Sequence, residues 1–556
     1  MESVRDIIDG FVYDHVRKFA DMVDEGGEDT VFMGVRVLDD RDKFTHGALC
    51  EACLRLYVHY LQEGKNNDAE HVLAFIYKLL DIIKRNPCYT WGKIAILRGL
   101  LYVKDKGFID KIDREYIEVL KEKTDYSDFF DLKEMKLIGG KPSNYVQVAM
   151  ACAGMRERLG WDEGEASEKI KDCLFGIIKG FSSSGYMDED PPHGRFDRYS
   201  LILTSELCDN LARIGKTPPD FVLENLKSAA YSTLFMANRR GDGTCYGRSL
   251  SVHGDLGCGE VLASALRLGL IEEKDKDLAV KYILAGIKKT INFWYNREIG
   301  AFDIWYNGRS TNSYRQTHRV LEVNIDVALH LFGTLDNLTA AGLDRYVPKN
   351  EIAEPDKWVC SEICFSDKEG DRRSTFVLKR EDKMIMLPLV GQGKNKHSPY
   401  LPFPASCRAL EAPPECEEPF LTPLAVIGGK KLIPKQFYDH IEFDVSDDRV
   451  EIDARGALAT FDTFYPERSD VPFDVKYVFD GRKITVSYSF GAEAEDCEMM
   501  FCMHEEKVGL KAFGFSEESV SDELCNPAYF CPHGRTERVY RFSGGKGSKF
   551  GYELYI

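Results

Sequence analysis

Residues Glu163–Phe181 read EGEASEKIKDCLFGIIKGF, and the placing of their apolar side chains decides the fold. Ile170, Cys173, Leu174, Ile177, Ile178 and Phe181 recur at intervals of three and four, which gathers them into one broad stripe of an amphipathic helix. The same spacing returns from about residue 40 to 335, among others in HVLAFIYKLLDIIKR (71–85), WGKIAILRGLLYV (91–103), NYVQVAMACAGMRERLG (144–160), YSLILTSELCDNLARIG (199–215) and THRVLEVNIDVALHLFG (317–333). Gly, Pro or Asp often marks the breaks. Short helices with short connections form antiparallel hairpins, and a succession of hairpins builds a helical solenoid or a closed α/α toroid. No crisp repeat period shows closure.

Near residue 350 the period changes to two. VEIDARGALATFDTF (450–464) and DVKYVFDGRKITVSYSF (474–490) alternate, with Ile484, Val486, Tyr488 and Phe490 on one face. Asp480-Gly481 between two such runs is a hairpin signal, and FGYELYI (550–556) closes the sequence as another strand. The expected fold class is therefore α+β multidomain. An N-terminal (α/α) toroid over 1–345 is followed by a C-terminal antiparallel β-sandwich over 346–556.

A formal charge of -18 argues against a nucleic-acid partner, because phosphate backbones are bound through clustered Lys and Arg. No apolar run approaches the roughly 18 residues of a membrane span, so no membrane partner is expected. MESVRDIIDGFVYDHV lacks the basic and apolar regions of a secretory leader, which sets the expectation of a cytoplasmic protein. The 16 cysteines are scattered singly through apolar patterns, as buried thiols in a reducing compartment are. His46, Cys50 and Cys53 share a helix face, but without a second ligand pair nearby they read as core packing. No metal and no cofactor is expected, and a homo-oligomer remains compatible with the sequence.

Three stretches concentrate polar chemistry. KPSNYVQVAM sets Asn144 at the mouth of a helix, where a helix cap is the plain alternative. GYMDEDPPHGRFDRYSLIL (185–203) packs Asp188, Glu189, Asp190, His193, Arg195, Arg198 and Tyr199 into one turn-rich segment. RRGDGTCYGRSLSVHGD (239–255) holds Arg248 and His253 in a glycine-rich turn that is neither a dinucleotide fingerprint nor a P-loop.

In this order the residues resemble the polysaccharide lyases built on an α/α toroid followed by β-sandwich sheets, the hyaluronate/chondroitin lyase and heparinase II/III-like group. In that group an Asn on a toroid helix precedes a loop carrying a His and then a Tyr, and a GR(S/A)-x-S-R segment follows. The matching residues are Asn144, His193, Tyr199 and Arg248. The sequence is also similar to an uncharacterised bacterial family with glucuronidase-like members. Two departures stand out: the second Arg of the last segment is Val252, and the loop's usual DG is replaced by DEDPP.

The resemblance implies β-elimination on uronic-acid-containing oligosaccharides. A uronate C5 proton leaves only if the neighbouring carboxylate charge is offset, which preorganised Asn, His and Arg donors achieve. Asn144, His193 and Arg248 are the expected neutralisers and Tyr199 the base and acid, once cations draw its pKa below about 10, with His193 as the alternative base. Arg195, Arg198 and His253 are expected to bind substrate, together with Trp305, Tyr314, Arg315 and His318 before the change of period and His397 and Tyr400 beyond it. Aromatic faces stack on sugars and arginines pair with carboxylates. Two other readings stay open. An inverting glycoside hydrolase of the β-glucuronidase kind would use Asp188, Glu189 or Asp190, with Asp242 and Asp255 as further carboxylates, in a pair about 6.5–9.5 Å apart. A glycan-binding toroid without turnover would keep only the aromatic and arginine contacts.

Overall fold

The computed structural model describes residues 2–39, 43–139, 144–179, 186–189, 193–247, 250, 252–304, 320–391, 400–406, 418–503, 508–521 and 538–556. Its helices are α1 (Val4–Asp9), α2 (Val12–Gly26), α3 (Thr45–Gln62), α4 (Asn66–Arg85), α5 (Thr90–Asp105), α6 (Arg114–Lys123), α7 (Asn144–Leu159), α8 (Ala166–Lys179), α9 (Arg198–Arg213), α10 (Asp220–Met236), α11 (Val252–Arg267), α12 (Lys276–Lys289) and α13 (Val320–Ala340).

Two burial patterns sort these helices. α8 buries only the narrow line Ser167, Ile170, Leu174 and Ile178, as a helix on the outside does. α7, with the sequence NYVQVAMACAGMRERL, is buried around almost its whole circumference, as are α3, α5 and α11. Such helices need neighbours on every side. They have them: α3 packs on α5, α5 on α7, α7 on α9, α9 on α11, α11 on α13, and α13 returns to α3. The inner ring is therefore closed, and α2, α4, α6, α8, α10 and α12 form the outer layer. The toroid alternative is the one realised. Each inner helix is followed by an outer helix running back, so the inner helices are parallel and all begin at one end of the ring.

From the middle of the ring to its far end, the centre is tied by ion pairs. Glu51 pairs with Arg55 (3.5 Å) and Arg98 (2.8 Å), and Arg55 reaches Asp336 (2.8 Å). Asp209 accepts from Arg267 (3.0 Å) and Asn337 (2.8 Å).

Beyond α13 the structure turns to antiparallel strands from Val359 onward, fourteen of the described strands being linked in one hydrogen-bonded network. Arg468–Asp480 pairs with Lys483–Ala494 through the Asp480↔Lys483 closing pair, the hairpin anticipated at Asp480-Gly481. Ile484, Val486, Tyr488 and Phe490 are all buried on one face. The strand Asp371–Arg380 rests on the helical part. Thr375 donates to Tyr246 (2.8 Å), Cys245 to the Ala405 carbonyl (3.5 Å), and Lys379 to the Ala237 carbonyl. The sheet thereby covers loops at the end of the ring where the inner helices begin. No helix among the described residues is long and apolar enough to cross a membrane.

Candidate active site

Parallel inner helices bring their N-termini together at one mouth. Each terminus presents unbonded backbone N–H groups and the equivalent of about half a positive charge. Such termini suit an anion.

Some of the expected residues occupy these first turns. Asn144 is the first residue of α7, 6% exposed, and its Oδ1 has no hydrogen-bond partner among the described residues. Tyr199 is the second residue of α9. Its backbone N–H donates to Asp197 Oδ1 (2.8 Å), the cap of that helix, and the Arg198 guanidinium lies 4.6 Å from its ring centroid. His253 is the second residue of α11, buried, with its ring edge-on to His330 at 5.7 Å.

The acidic loop is held from both sides. Asp188 is buried and accepts from the Gly194 and Arg195 backbone amides (2.8 Å each), which folds the loop back on itself. Glu189 is buried with Arg195 at 4.0 Å. From the sheet, Arg373 donates to the carbonyls of His193 (2.9 Å) and Gly194 (2.7 Å), and Tyr465 stacks on the His193 ring at 3.7 Å. Gly194 has φ +76°, and a Cβ there would collide with the Arg373 guanidinium, so this contact requires glycine. Tyr400, also from the sheet side, is buried and donates to Asp197 Oδ2.

Arg248 lies outside the described residues, but Gly247 before it has φ +85° and lies so near Asp197 that a Cβ would sit 2.4 Å from the aspartate Cβ. Asp190, Trp305, Tyr314, Arg315, His318 and His397 also lie outside the described residues.

Asp242 and Asp255 belong to a buried network behind the mouth. Both accept from Lys289 (2.6 and 2.9 Å), and Asp255 also accepts from Trp294 Nε1 (2.8 Å) and the Gly243 amide (2.9 Å). Burial raises the Asp255 pKa, with Lys289 opposing. Cys50 and Cys53 are core thiols whose pKa values burial raises, and His46 Nε2 meets the Val37 carbonyl (3.3 Å).

Two residues escaped the sequence reading. Trp91 and Tyr145 are the second residues of α5 and α7 and form an edge-to-face pair at 5.9 Å. Both are partly exposed. With His46, Tyr199 and His253 they give five successive inner helices an aromatic ring at the second position. That signal is present in the sequence, but it becomes visible only once the helix starts are aligned.

Neither a protein-family model nor a curated protein matches the sequence. Among solved structures, the chain is similar to the Streptomyces coelicolor A3 chondroitin AC lyase in complex with chondroitin sulphate. Identity is 10%, over 98% of this chain and 79% of that one, with a TM-score of 0.48. It is also similar to a heparan sulfate lyase HepC mutant from Pedobacter heparinus, at 8% identity over 83% and 75% with a TM-score of 0.32. A third similarity is to heparinase III, at 9% identity over 86% and 77% with a TM-score of 0.30.

Proposed function

We propose that the protein is a carbohydrate-active enzyme that cleaves uronic-acid-containing oligosaccharides by β-elimination. The observation that carries this reading is a contrast among side chains at the mouth and just behind it. Of the carboxylates a hydrolase could use, Asp188, Asp242 and Asp255 are engaged by backbone amides and by Lys289, whereas Asn144 Oδ1 has no hydrogen-bond partner among the described residues and Tyr199 lies beneath a guanidinium.

In this mechanism the uronate carboxylate docks among the helix N-termini, with Asn144 and His193 as donors and Arg248 as the third. A cation close to Tyr199 favours its phenolate over the phenol. The phenolate removes the C5 proton, and the C5 electron pair delocalises into the carboxylate, whose added charge the donors stabilise. The pair then forms the C4=C5 double bond as the C4–O bond breaks, and the tyrosine returns its proton to the leaving oxygen. No water is consumed. Trp91 and Tyr145 offer a stacking surface for a neighbouring sugar ring. The twelve described cysteines form no disulfide with one another, which supports residence in a reducing compartment such as the cytoplasm and hence a substrate already shortened to oligosaccharides.

The test is incubation with a panel of uronate-containing oligosaccharides, recording ultraviolet absorbance and reducing ends together. Elimination gives absorbance from the conjugated double bond, lost in Tyr199→Phe. Reducing ends without absorbance, retained in Tyr199→Phe and lost in Glu189→Gln, would replace this reading with a hydrolase. Tight glycan binding with neither signal would leave a binding toroid.

A further inference from the structure

A cavity of about 500 Å³ that the proposed chemistry does not use lies beside the outer helix α12. Its size falls within the range of about 300–1,000 Å³ that small-molecule sites occupy. Five cations line it, Arg239, Arg240, Lys281, Lys288 and Lys289, against two acids, Glu2 and Asp242. Three of the cations are answered by carboxylates: Lys281 by Glu351 (2.8 Å), Arg240 by Asp382, and Lys289 by Asp242 and Asp255 (2.6 and 2.9 Å). The other two are not. Arg239 Nε donates to the Ile352 carbonyl (2.9 Å), which fixes its stem, and the guanidinium has no ion pair among the described residues. Glu354, the nearby acid, is taken by the Arg239 backbone amide (3.2 Å). Lys288 is exposed, with neither a hydrogen bond nor an ion pair among the described residues.

The rest of the lining is apolar or hydroxyl-binding. Leu284, Phe293 and Pro348 give it an apolar side, and Asn292 adds an amide. Lys281, Leu284 and Lys288 recur at intervals of three and four, which sets them on one stripe of α12. Beyond α12 the chain continues as a π turn, Thr290–Trp294, in which two successive rings part company. Trp294 is buried and donates to Asp255 (2.8 Å), whereas Phe293 is partly exposed at the cavity, 4.9 Å from the Trp294 ring and at 82° to it. A helix ends in carbonyls, whose partial negative charge opposes a run of phosphates but accepts hydroxyl hydrogens. The matching ligand therefore carries one acidic group, hydroxyls and an apolar ring face. A sugar acid has all three.

We propose that this cavity is a second binding site, for an acidic sugar, with the carboxylate or sulfate held by Arg239 and Lys288 and a ring face on Phe293. It rests on the elimination reading only in taking a sugar acid as the anion. The site is separate from the mouth but backs onto it. Asp242 lines the cavity, and two residues on the Thr244 amide donates to the Gly254 carbonyl (3.3 Å), in the first turn of α11 that carries His253. Lys289, bonded to both Asp242 and Asp255, stands between the two. A free sugar acid and the outer end of a longer chain present the same chemistry here.

The experiment is calorimetric titration of the full chain with glucuronate, which neither elimination nor hydrolysis consumes. Lys288→Glu reverses an exposed, unpaired charge and leaves the fold intact; it should weaken one class of glucuronate site by about tenfold, the size of a cation replaced by a repelling charge at a partly screened position. Arg239→Gln should weaken the same site by about threefold. Glucose, which lacks the charge, and inorganic sulfate, which lacks the ring, should each bind that site at least about tenfold more weakly than glucuronate. Glucuronate binding unchanged in Lys288→Glu overturns the proposal, and so does glucose or sulfate binding as tightly as glucuronate. Kinetics then separate the two sources of the ligand. If the cavity takes the outer end of a bound chain, Lys288→Glu raises KM for a hexasaccharide and not for a disaccharide, with kcat unchanged; if KM is unchanged for both, the ligand is a free sugar acid. Failure of the elimination reading would appear as absence of unsaturated product and would leave the glucuronate titration standing, so the two readings fall separately.

Discussion

The two ends of the inner ring use charge in opposite ways. From the middle to the far end, ionisable side chains answer one another: Glu51 with Arg55 and Arg98, Arg55 with Asp336, and Asp209 with Arg267 and Asn337. At the mouth the side chains are set by backbone bonds and ring contacts instead. Tyr199 is fixed through its amide to Asp197, His193 through its carbonyl to Arg373 and its ring to Tyr465, and Asn144 keeps an oxygen without a hydrogen-bond partner among the described residues. Charges balanced by protein donors hold a structure together, whereas side chains anchored through their own backbone atoms or ring faces can still turn polar atoms to a ligand. The type of residue does not separate the two cases, since Asp188 and Asp242 lie near the mouth and, like Asp209, have their oxygens taken by donors of the protein itself.

The contrast can be broken most directly at Tyr199. Tyr199→Phe is expected to lower kcat/KM by about a thousandfold, the range of a lost proton-transfer group, while shifting unfolding free energy by less than about 0.5 kcal/mol. Equal loss of stability and activity, seen in denaturant titrations beside kinetics, would place this residue with the structural set. Glu51→Ala is the mirror case. It leaves Arg55 and Arg98 without their carboxylate and should cost about 3 kcal/mol in denaturant unfolding, with kcat/KM of the folded fraction retained. A cost below about 1 kcal/mol would mean the far-end network is ornamental.

Glu206 sharpens the comparison because it lies between the two ends. The folded protein holds its proton up to about pH 7, while the unfolded chain releases it near the ordinary value of 4.5. The native state therefore binds more protons across that window. The stability this group lends is complete below it, falls as pH climbs to about 7, and stays lost above. Glu206→Gln should accordingly stabilise the protein by about 1–2 kcal/mol at about pH 8, allowing for the partial exposure of Glu206, and by almost nothing at about pH 4. Thermal unfolding at the two pH values checks the sign. The smallest effect is expected at Tyr400→Phe, which removes one buried hydrogen bond to Asp197 and should cost about 1 kcal/mol with a modest fall in rate.

Much of the fold was legible because periodicity reports burial. The three-and-four stripe of α8 and the alternation through Ile484 and Phe490 were read from residue spacing alone. Inner helices such as α7 show a weaker pattern because they are buried on most sides, and for that reason ring closure was not visible in their sequences. Within the candidate site, Asn144 and Tyr199 were legible as polar residues beside helix starts, whereas His253, read as part of a glycine-rich turn, stands inside α11. The buried bonds of Asp188 and Asp255 were not, since the partners of Asp255 at Lys289 and Trp294 lie 34 and 39 residues away and the amides taken by Asp188 depend on how its loop folds back. Arg373 gave no signal either, because its bond to His193 spans 180 residues.

The sequence by itself determined which segments are helix and which are strand, the acidic charge of the whole, and the order of polar residues along the chain. Those properties follow from local spacing and composition, which fold along with the segment that carries them. Only the tertiary structure decided that the ring closes, that its inner helices open at one mouth, and that Glu206, Glu260 and His330 come together inside it. These depend on which distant surfaces become neighbours, and a carboxylate's chemistry depends on what surrounds it once water is displaced.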